Sequence, residues 1–149
     1  MTSILPERIE CVVTHEGSPV QGLMLEAQLK TTRKNPHQVL FGPTDALGRV
    51  VLLRSEIEEW AASELYMAIM DFDPLEHAFS GIIELRVINK KELADAVEAY
   101  EAYKEETSYP QGYLSNLHKA REILEGMADG ACFHISASVK PDSIKMIIR

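Results

Sequence analysis

The stretches Gly17-Ser18-Pro19-Val20-Gln21-Gly22 and Thr44-Asp45-Ala46-Leu47-Gly48-Arg49 carry the strongest structural signal in this sequence. Glycine admits the positive dihedral angles of a tight turn, and proline presets the backbone for re-entry into a sheet. A strand-like segment and a loop separate the two stretches. Such a pair of turns is typical of the edge of a β-sandwich, so it speaks to fold rather than to chemistry.

Alternation of apolar and polar residues predicts strands on both sides of these turns. In residues 23–30, for example, every second residue is apolar. The other predicted strands span residues 8–14, 39–41, 48–53, 65–72, 83–87, 133–139 and 144–148. Both faces of segment 65–72 are apolar, so we expect another element to cover its outer face.

Capping patterns and helical spacing predict three helices. Ser55, with Glu58 three residues later, fits the start of a short helix. Asn89, with Glu92 at the third position, fits the start of a longer one that stops near residues 108–110. A third helix runs until Gly126. The last two helices are expected to form an antiparallel hairpin that either covers the sheet or projects as an arm.

Composition predicts one soluble domain spanning residues 1–149, because 149 residues with 46% hydrophobic and 26% charged side chains suffice for one core. The sandwich is expected at 8–88 and 131–149, and the hairpin insertion at 89–128. No apolar run could span a bilayer, and the N-terminus lacks the features of a secretory signal, so we expect a cytoplasmic protein without membrane contact. Cys11 and Cys132 are expected to be buried free thiols.

The formal net charge of −8 disfavours nucleic acid and favours a basic protein as the partner. Acidic residues concentrate between Arg54 and His77. Two tyrosines beside Pro110, at the tip of the hairpin, are typical of exposed interface anchors. The predicted binding residues are therefore Glu56, Glu58, Glu59, Asp71, Asp73, Glu76, Tyr109 and Tyr113.

Metal or cofactor chemistry is not predicted. Residues 71–77 gather three carboxylates and a histidine, but they lack the spacing of an EF-hand and fit an acidic loop that turns at Pro74. The chain also lacks a glycine-rich phosphate loop and a nucleophile elbow. We therefore expect no metal and no cofactor.

The pattern Val13-x-x-x-Gly17-x-Pro19-Val20-x-Gly22, followed by Thr44-Asp45-x-x-Gly48-Arg49, resembles the transthyretin-like and carboxypeptidase regulatory-like group of Ig-like sandwiches. The resemblance covers about the first third of the chain and rests mostly on turn residues. It implies a mainly β (α+β) protein: an Ig-like or transthyretin-like antiparallel β-sandwich of about seven strands, with the helical hairpin inserted.

Within that group, the 5-hydroxyisourate hydrolases carry a Thr-x-x-x-Gly-Arg motif with a catalytic arginine, and residues 44–49 match it. Their late-strand histidine is distantly similar to His134. The resemblance thus implies that Arg49 holds an anionic substrate and that His134 transfers a proton.

Two departures from that family weaken the enzymatic interpretation. The family's first-strand histidine should stand near Ile9 and Glu10, whereas His15 comes only two residues before Gly17. The family's terminal Tyr-Arg-Gly-Ser is also replaced, because this sequence finishes with residues 145–149, Lys-Met-Ile-Ile-Arg.

Three functional hypotheses follow. The leading one is a non-enzymatic binding module that contacts a basic protein, by analogy with small acidic bacterial immunity proteins and with accessory or adaptor subunits. The first alternative is a hydrolase that uses Arg49 and His134. The second is a structural homo-oligomer assembled through the apolar strand at 65–72.

Overall fold

The computed structural model describes residues 5–32, 36–61, 79–103, 113–128 and 130–149. The strands in these ranges are β1 (Arg8–His15), β2 (Ser18–Pro19), β3 (Leu25–Thr31), β4 (His37–Phe41), β5 (Arg49–Leu53), β6 (Phe79–Val87), β7 (His134–Lys140) and β8 (Lys145–Ile148). The helices are α1 (Arg54–Ala61), α2 (Lys90–Tyr103) and α3 (Tyr113–Glu125). A mainly β protein is thereby confirmed. The predicted strand at 65–72 lies outside the described residues.

The strands form two sheets of four. In the first, termed the β1 sheet, β1 lies between β5 and β7, and β2 pairs with the end of β1. The second, termed the β3 sheet, has the order β4-β3-β6-β8. Both sheets supply residues to one cluster of buried apolar side chains.

Among the described strands, every pair is antiparallel except β6 and β8, which run parallel. The prediction of a wholly antiparallel sandwich is therefore wrong at this pair. The reason is that β7 belongs to the β1 sheet, whereas β8 belongs to the β3 sheet. Because residues 141–144 cross from one sheet to the other, β8 is not the second strand of a hairpin.

Every second side chain of β1 and β3 faces the core, as the two-residue period of the sequence predicts. Ile9, Cys11 and Val13 of β1 are at most 1% exposed, as are Leu25 and its alternate neighbours in β3. Burial raises the pKa of the Cys11 thiol to about 12. Cys132 is also a free thiol, but it is exposed, so the expectation that both thiols are buried is wrong for Cys132.

The helical hairpin packs on the two sheets. Lys90 Nζ, at the start of α2, donates to the carbonyl of Met127 beyond α3, at 3.4 Å, so the two helices run antiparallel. Gly22, at φ +90°, lies beneath Ile123 of α3 so closely that a β-carbon there would collide with it. Leu93 of α2 and Leu117 of α3 are fully buried in the shared core. Of the two predicted arrangements, the structure shows the packed one.

The helix starts differ in how well the sequence predicted them. The Asn89 cap is confirmed, because its Oδ1 accepts from the Glu92 N–H at 2.8 Å. The Ser55 cap is wrong, since α1 begins at Arg54, directly after β5. There the Arg54 N–H donates to the Glu7 carbonyl at 3.1 Å, so one free amide of the first turn is satisfied by the chain itself.

Candidate functional site

The two turn signatures form one hydrogen-bonded unit. The Thr44 hydroxyl donates to the Val20 carbonyl at 2.6 Å and accepts from the Leu23 N–H at 3.0 Å. The Thr44 N–H donates to the Leu23 carbonyl at 3.0 Å, and the Gly22 N–H donates to the Thr44 carbonyl at 2.8 Å. Thr44 is 1% exposed, so its hydroxyl serves the fold and is not available to a ligand.

The rest of the second signature positions Arg49. Oδ1 of Asp45 accepts from the N–H groups of Leu47 and Arg49, each at 2.9 Å. Gly48 has φ +74°, and a β-carbon there would collide with the Val13 carbonyl oxygen. The hydrogen bonds of Thr44 and Asp45 and the positive φ of Gly48 explain why these residues have the spacing of the Thr-x-x-x-Gly-Arg motif. The same turn places Arg49 at the exposed start of β5.

Arg49 and His134 lie on the same face of the β1 sheet. Arg49 pairs with Val12 of β1, Val12 pairs with Ser136 of β7, and His134 stands two residues before Ser136. Strand spacing of about 4.8 Å and a rise of about 3.4 Å per residue put the two Cα atoms roughly 12 Å apart. Both residues are exposed. The sheet thus gathers the two predicted catalytic residues on one face but not into contact.

His15 does not replace the missing first-strand histidine. Its Nδ1–H donates to the Cys132 carbonyl at 2.7 Å, and its ring lies 5.6 Å from the ring of Phe133, centroid to centroid. These contacts tie the end of β1 to the segment before β7. The role of His15 in this arrangement is structural.

An open groove of about 840 Å³ lies at the other end of the same face. Residues of both charge signs line it, and they pair with one another: Arg8 with Glu10, and Lys140 with Glu7 at 3.9 Å. Ser138 also faces the groove, and it stands opposite Glu10 in the register of β1 and β7. No histidine is among the described residues that line the groove.

Helix α1 presents the predicted acidic residues to solvent. Ile57 is fully buried and anchors the helix, whereas Glu56, Glu58 and Glu59 are exposed. Partial burial, and secondarily the nearby Glu59, raise the pKa of Glu56, and a hydrogen bond from the Leu53 backbone partly opposes this shift. In the part of the chain that the structure describes, none of these three carboxylates forms an ion pair.

The outer face of the β3 sheet carries acidic residues that are paired. Arg86 Nε donates to Glu26 at 3.1 Å, and the Arg86 guanidinium also binds Glu92 of α2. Lys30 and Arg149 both bind Glu84, at 3.1 Å and 2.8 Å. Sequence reasoning missed this network. Arg86 is the neighbour of Glu26 because of the register between β3 and β6, and sequence patterns do not give that register.

The remaining predicted binding residues are only partly reached by the structure. Asp71, Asp73, Glu76 and Tyr109 lie outside the described residues, and Tyr113 is the first residue of α3. Within the described ranges, the structure brings together no group of three or more histidine, cysteine or acidic residues that could hold a metal ion.

No helix in the described segments is long and apolar enough to cross a bilayer. No protein-family model matches the chain, and neither a curated protein nor a solved structure is similar enough to it to count as a match.

Proposed function

We propose that this protein is a non-enzymatic cytoplasmic binding module that acts by contact with a basic protein, and that the carboxylates of α1 form part of the contact. The observation that carries the proposal is the difference between two acidic surfaces. Glu26, Glu84 and Glu92 on the β3 sheet and α2 all have cationic partners. Among the described residues, the carboxylates of α1 have none.

Glu56 lies in the first turn of α1, where the helix dipole favours an acid, but the other two carboxylates stand at unfavourable positions. Glu58 and Glu59 stand in the last turn, where the helix dipole disfavours negative charge, and that turn has no basic residue. Glu56 and Glu59 are also three residues apart, so their like charges face each other. A basic partner would relieve both effects, and its approach would be accelerated by the overall charge of −8.

The rest of the proposed surface comes from the sequence. Asp71, Asp73 and Glu76 would extend the acidic patch, and Tyr109 and Tyr113 would supply apolar anchors at the hairpin tip. Immunity proteins and accessory or adaptor subunits are the analogous classes. We also retain an Ig-like or transthyretin-like kinship as part of the proposal, supported by the two sheets of four strands and the bonded pair of turns.

The experiment that tests the function is capture of partners by the tagged, full-length protein from a lysate of its source cell, at low and at moderate salt. Bound proteins are identified by mass spectrometry. We expect one stoichiometric basic partner whose retention falls as salt rises. Absence of such a partner at either salt concentration would contradict the proposal.

One observation favours the hydrolase as a second candidate: Arg49 and His134 share a solvent-exposed sheet face. Because roughly 12 Å separates them, a substrate would have to lie across β1 to meet both. The test is turnover of 5-hydroxyisourate by the wild type and by Arg49→Ala and His134→Ala. Loss of turnover in both folded variants would support the enzyme, and turnover that is absent or unchanged would remove it.

A further inference from the structure

Among the strands that the structure describes, β7 is an edge of the β1 sheet. It pairs with β1 along its whole length, from His134 opposite Thr14 to Lys140 opposite Arg8. No other described strand pairs with it. An edge strand presents unpaired N–H and C=O groups to any strand that can approach it.

The register shows which backbone groups of β7 point outward. The Val13 N–H donates to the Gly48 carbonyl at 2.8 Å, so the odd-numbered residues of β1 bond toward β5. The even-numbered residues of β1 therefore bond toward β7, because the direction alternates along a strand. Their partners in β7 are also even-numbered. This leaves the N–H and C=O groups of Ile135, Ala137 and Val139 directed away from the sheet.

Between its ends, β7 itself carries none of the sequence features that protect edge strands. Residues 135–139 are Ile-Ser-Ala-Ser-Val, without a charge or a proline, and their pairing with β1 has no bulge. Lys140 and Pro141 come only at the end. On the core side, Ala137 and Val139 remain partly exposed at this edge. A second strand laid along β7 would bury them.

We propose that β7 pairs antiparallel with β7 of a second copy of this chain, with Ala137 on the two-fold axis. In this register the outward N–H and C=O groups of residues 135, 137 and 139 all find partners. Ile135 faces Val139 of the other copy on the core side, and Ser136 faces Ser138 on the outer side. The Ile135–Val139 pairs bury apolar surface, and the hydroxyls of the Ser136–Ser138 pairs lie close enough to hydrogen-bond across the strands.

The sequence is symmetric around Ala137, and this symmetry identifies a second copy of this chain as the partner of β7. Apolar β-branched residues lie two positions to either side and serines one position to either side, so the edge is complementary to itself. The only lysine of the strand, Lys140, faces His134, so Lys140 does not oppose another Lys140. A contact of this kind is isologous and closes as a dimer.

Light scattering after size exclusion, over a series of concentrations, is the first test. We expect the wild type to reach twice the chain mass of 16.7 kDa. Ala137→Pro removes only an outward N–H, and Ser136→Lys with Ser138→Lys places lysines opposite each other while keeping the backbone intact. Both variants should be monomeric, with a folded circular dichroism spectrum. The control, Ser18→Lys with Ser115→Lys, adds the same charge at exposed sites elsewhere and should remain dimeric.

Cross-linking tests the register. Cys11 lies directly opposite residue 137 in the β1–β7 pair, so the background is Cys11→Ala with Cys132→Ser. There, Ala137→Cys would face itself across the axis at about 5.5 Å between Cα atoms, within the range of a disulfide. Mild oxidation should give a covalent dimer, whereas Val51→Cys on β5, in the same background, should not. A wild type that stays monomeric, or a dimer insensitive to the β7 variants, would overturn the proposal. In the latter case the contact would lie elsewhere, for example at segment 65–72.

Discussion

Thr44 and Leu23 are joined by two hydrogen bonds of 3.0 Å each: the Leu23 N–H donates to the Thr44 hydroxyl, and the Thr44 N–H donates to the Leu23 carbonyl. The same hydroxyl donates to the Val20 carbonyl at 2.6 Å. A single buried side chain therefore connects the two turn signatures.

The first prediction concerns this hydroxyl. Thr44→Val keeps the shape of the side chain but leaves the buried Leu23 N–H and the partly buried Val20 carbonyl without their partner. We therefore expect a loss of about 2 kcal/mol in the free energy of unfolding. Thr44→Ser keeps the hydroxyl and should cost less than half as much. Urea denaturation measures both variants. Equal losses would show that the methyl group, and not the hydroxyl, stabilises the turns.

The second prediction concerns pH. His37 is fully buried, and burial lowers its pKa to about 4 from the usual 6.5. Between these values the unfolded chain binds more protons than the folded one, so stability is retained above pH 6.5 and lost as the pH falls toward 4. Across the interval from pH 7 to pH 5, His37 should account for a loss of about 2 kcal/mol.

The matched variant for this prediction is His37→Gln, which cannot titrate. Its overall stability is expected to be lower, but the change in its free energy of unfolding between pH 7 and pH 5 should be smaller by that same amount. Urea denaturation at the two pH values provides the comparison. If the free energy of unfolding fell equally in the wild type and the variant between pH 7 and pH 5, other groups would be responsible for the acid sensitivity.

The third prediction concerns Arg86, whose guanidinium bonds raise its own pKa and lower that of Glu92. Arg86→Met leaves the Glu26 side chain, only 8% exposed, without its cationic partner, and should cost about 2 to 3 kcal/mol. Glu92→Gln removes the ion pair between Arg86 and Glu92, whose side chains are about one-third exposed. It should lower the free energy of unfolding by about 1 kcal/mol.

The ion pair between Arg86 and Glu92 affects stability over a different pH range from His37. Because the pKa of Glu92 is lower in the folded state, its contribution is complete above the unfolded value of about 4.3 and is lost as the pH falls through the folded value. The wild type and Glu92→Gln should therefore converge in stability as the pH falls through that folded value. A difference that persists at acidic pH would assign the cost to packing.

The sequence predicted those parts of the fold that depend on local signals. The period of two in β1, β3 and β7, the Asn89 cap and the paired helices each follow from residues close together in the chain. The Ser55 cap failed because the N–H of Arg54 is satisfied by Glu7, which is remote in sequence. The parallel pairing of β8 and the Arg86 network also depend on register between distant strands.

The candidate site was less predictable for the same reason. Exposure of Glu56, Glu58 and Glu59 could be predicted from composition, but their lack of ion pairs in the described structure could not. The motif at 44–49 suggested an arginine for catalysis, whereas its threonine, aspartate and glycine all satisfy turn geometry. The position of β7 at the edge of the described β1 sheet became visible only when the sheet order was known.

Charge reversal on α1 is the most direct test of the proposed binding function. Glu58→Lys with Glu59→Lys should reduce retention of the captured basic partner about tenfold, equivalent to roughly 1.4 kcal/mol, and should weaken its dependence on salt. Glu98→Lys with Glu122→Lys adds the same charge at exposed positions on the hairpin and should retain the partner nearly as well as the wild type. Equal losses in both variants, or no loss in either, would contradict the assignment of the interface to α1.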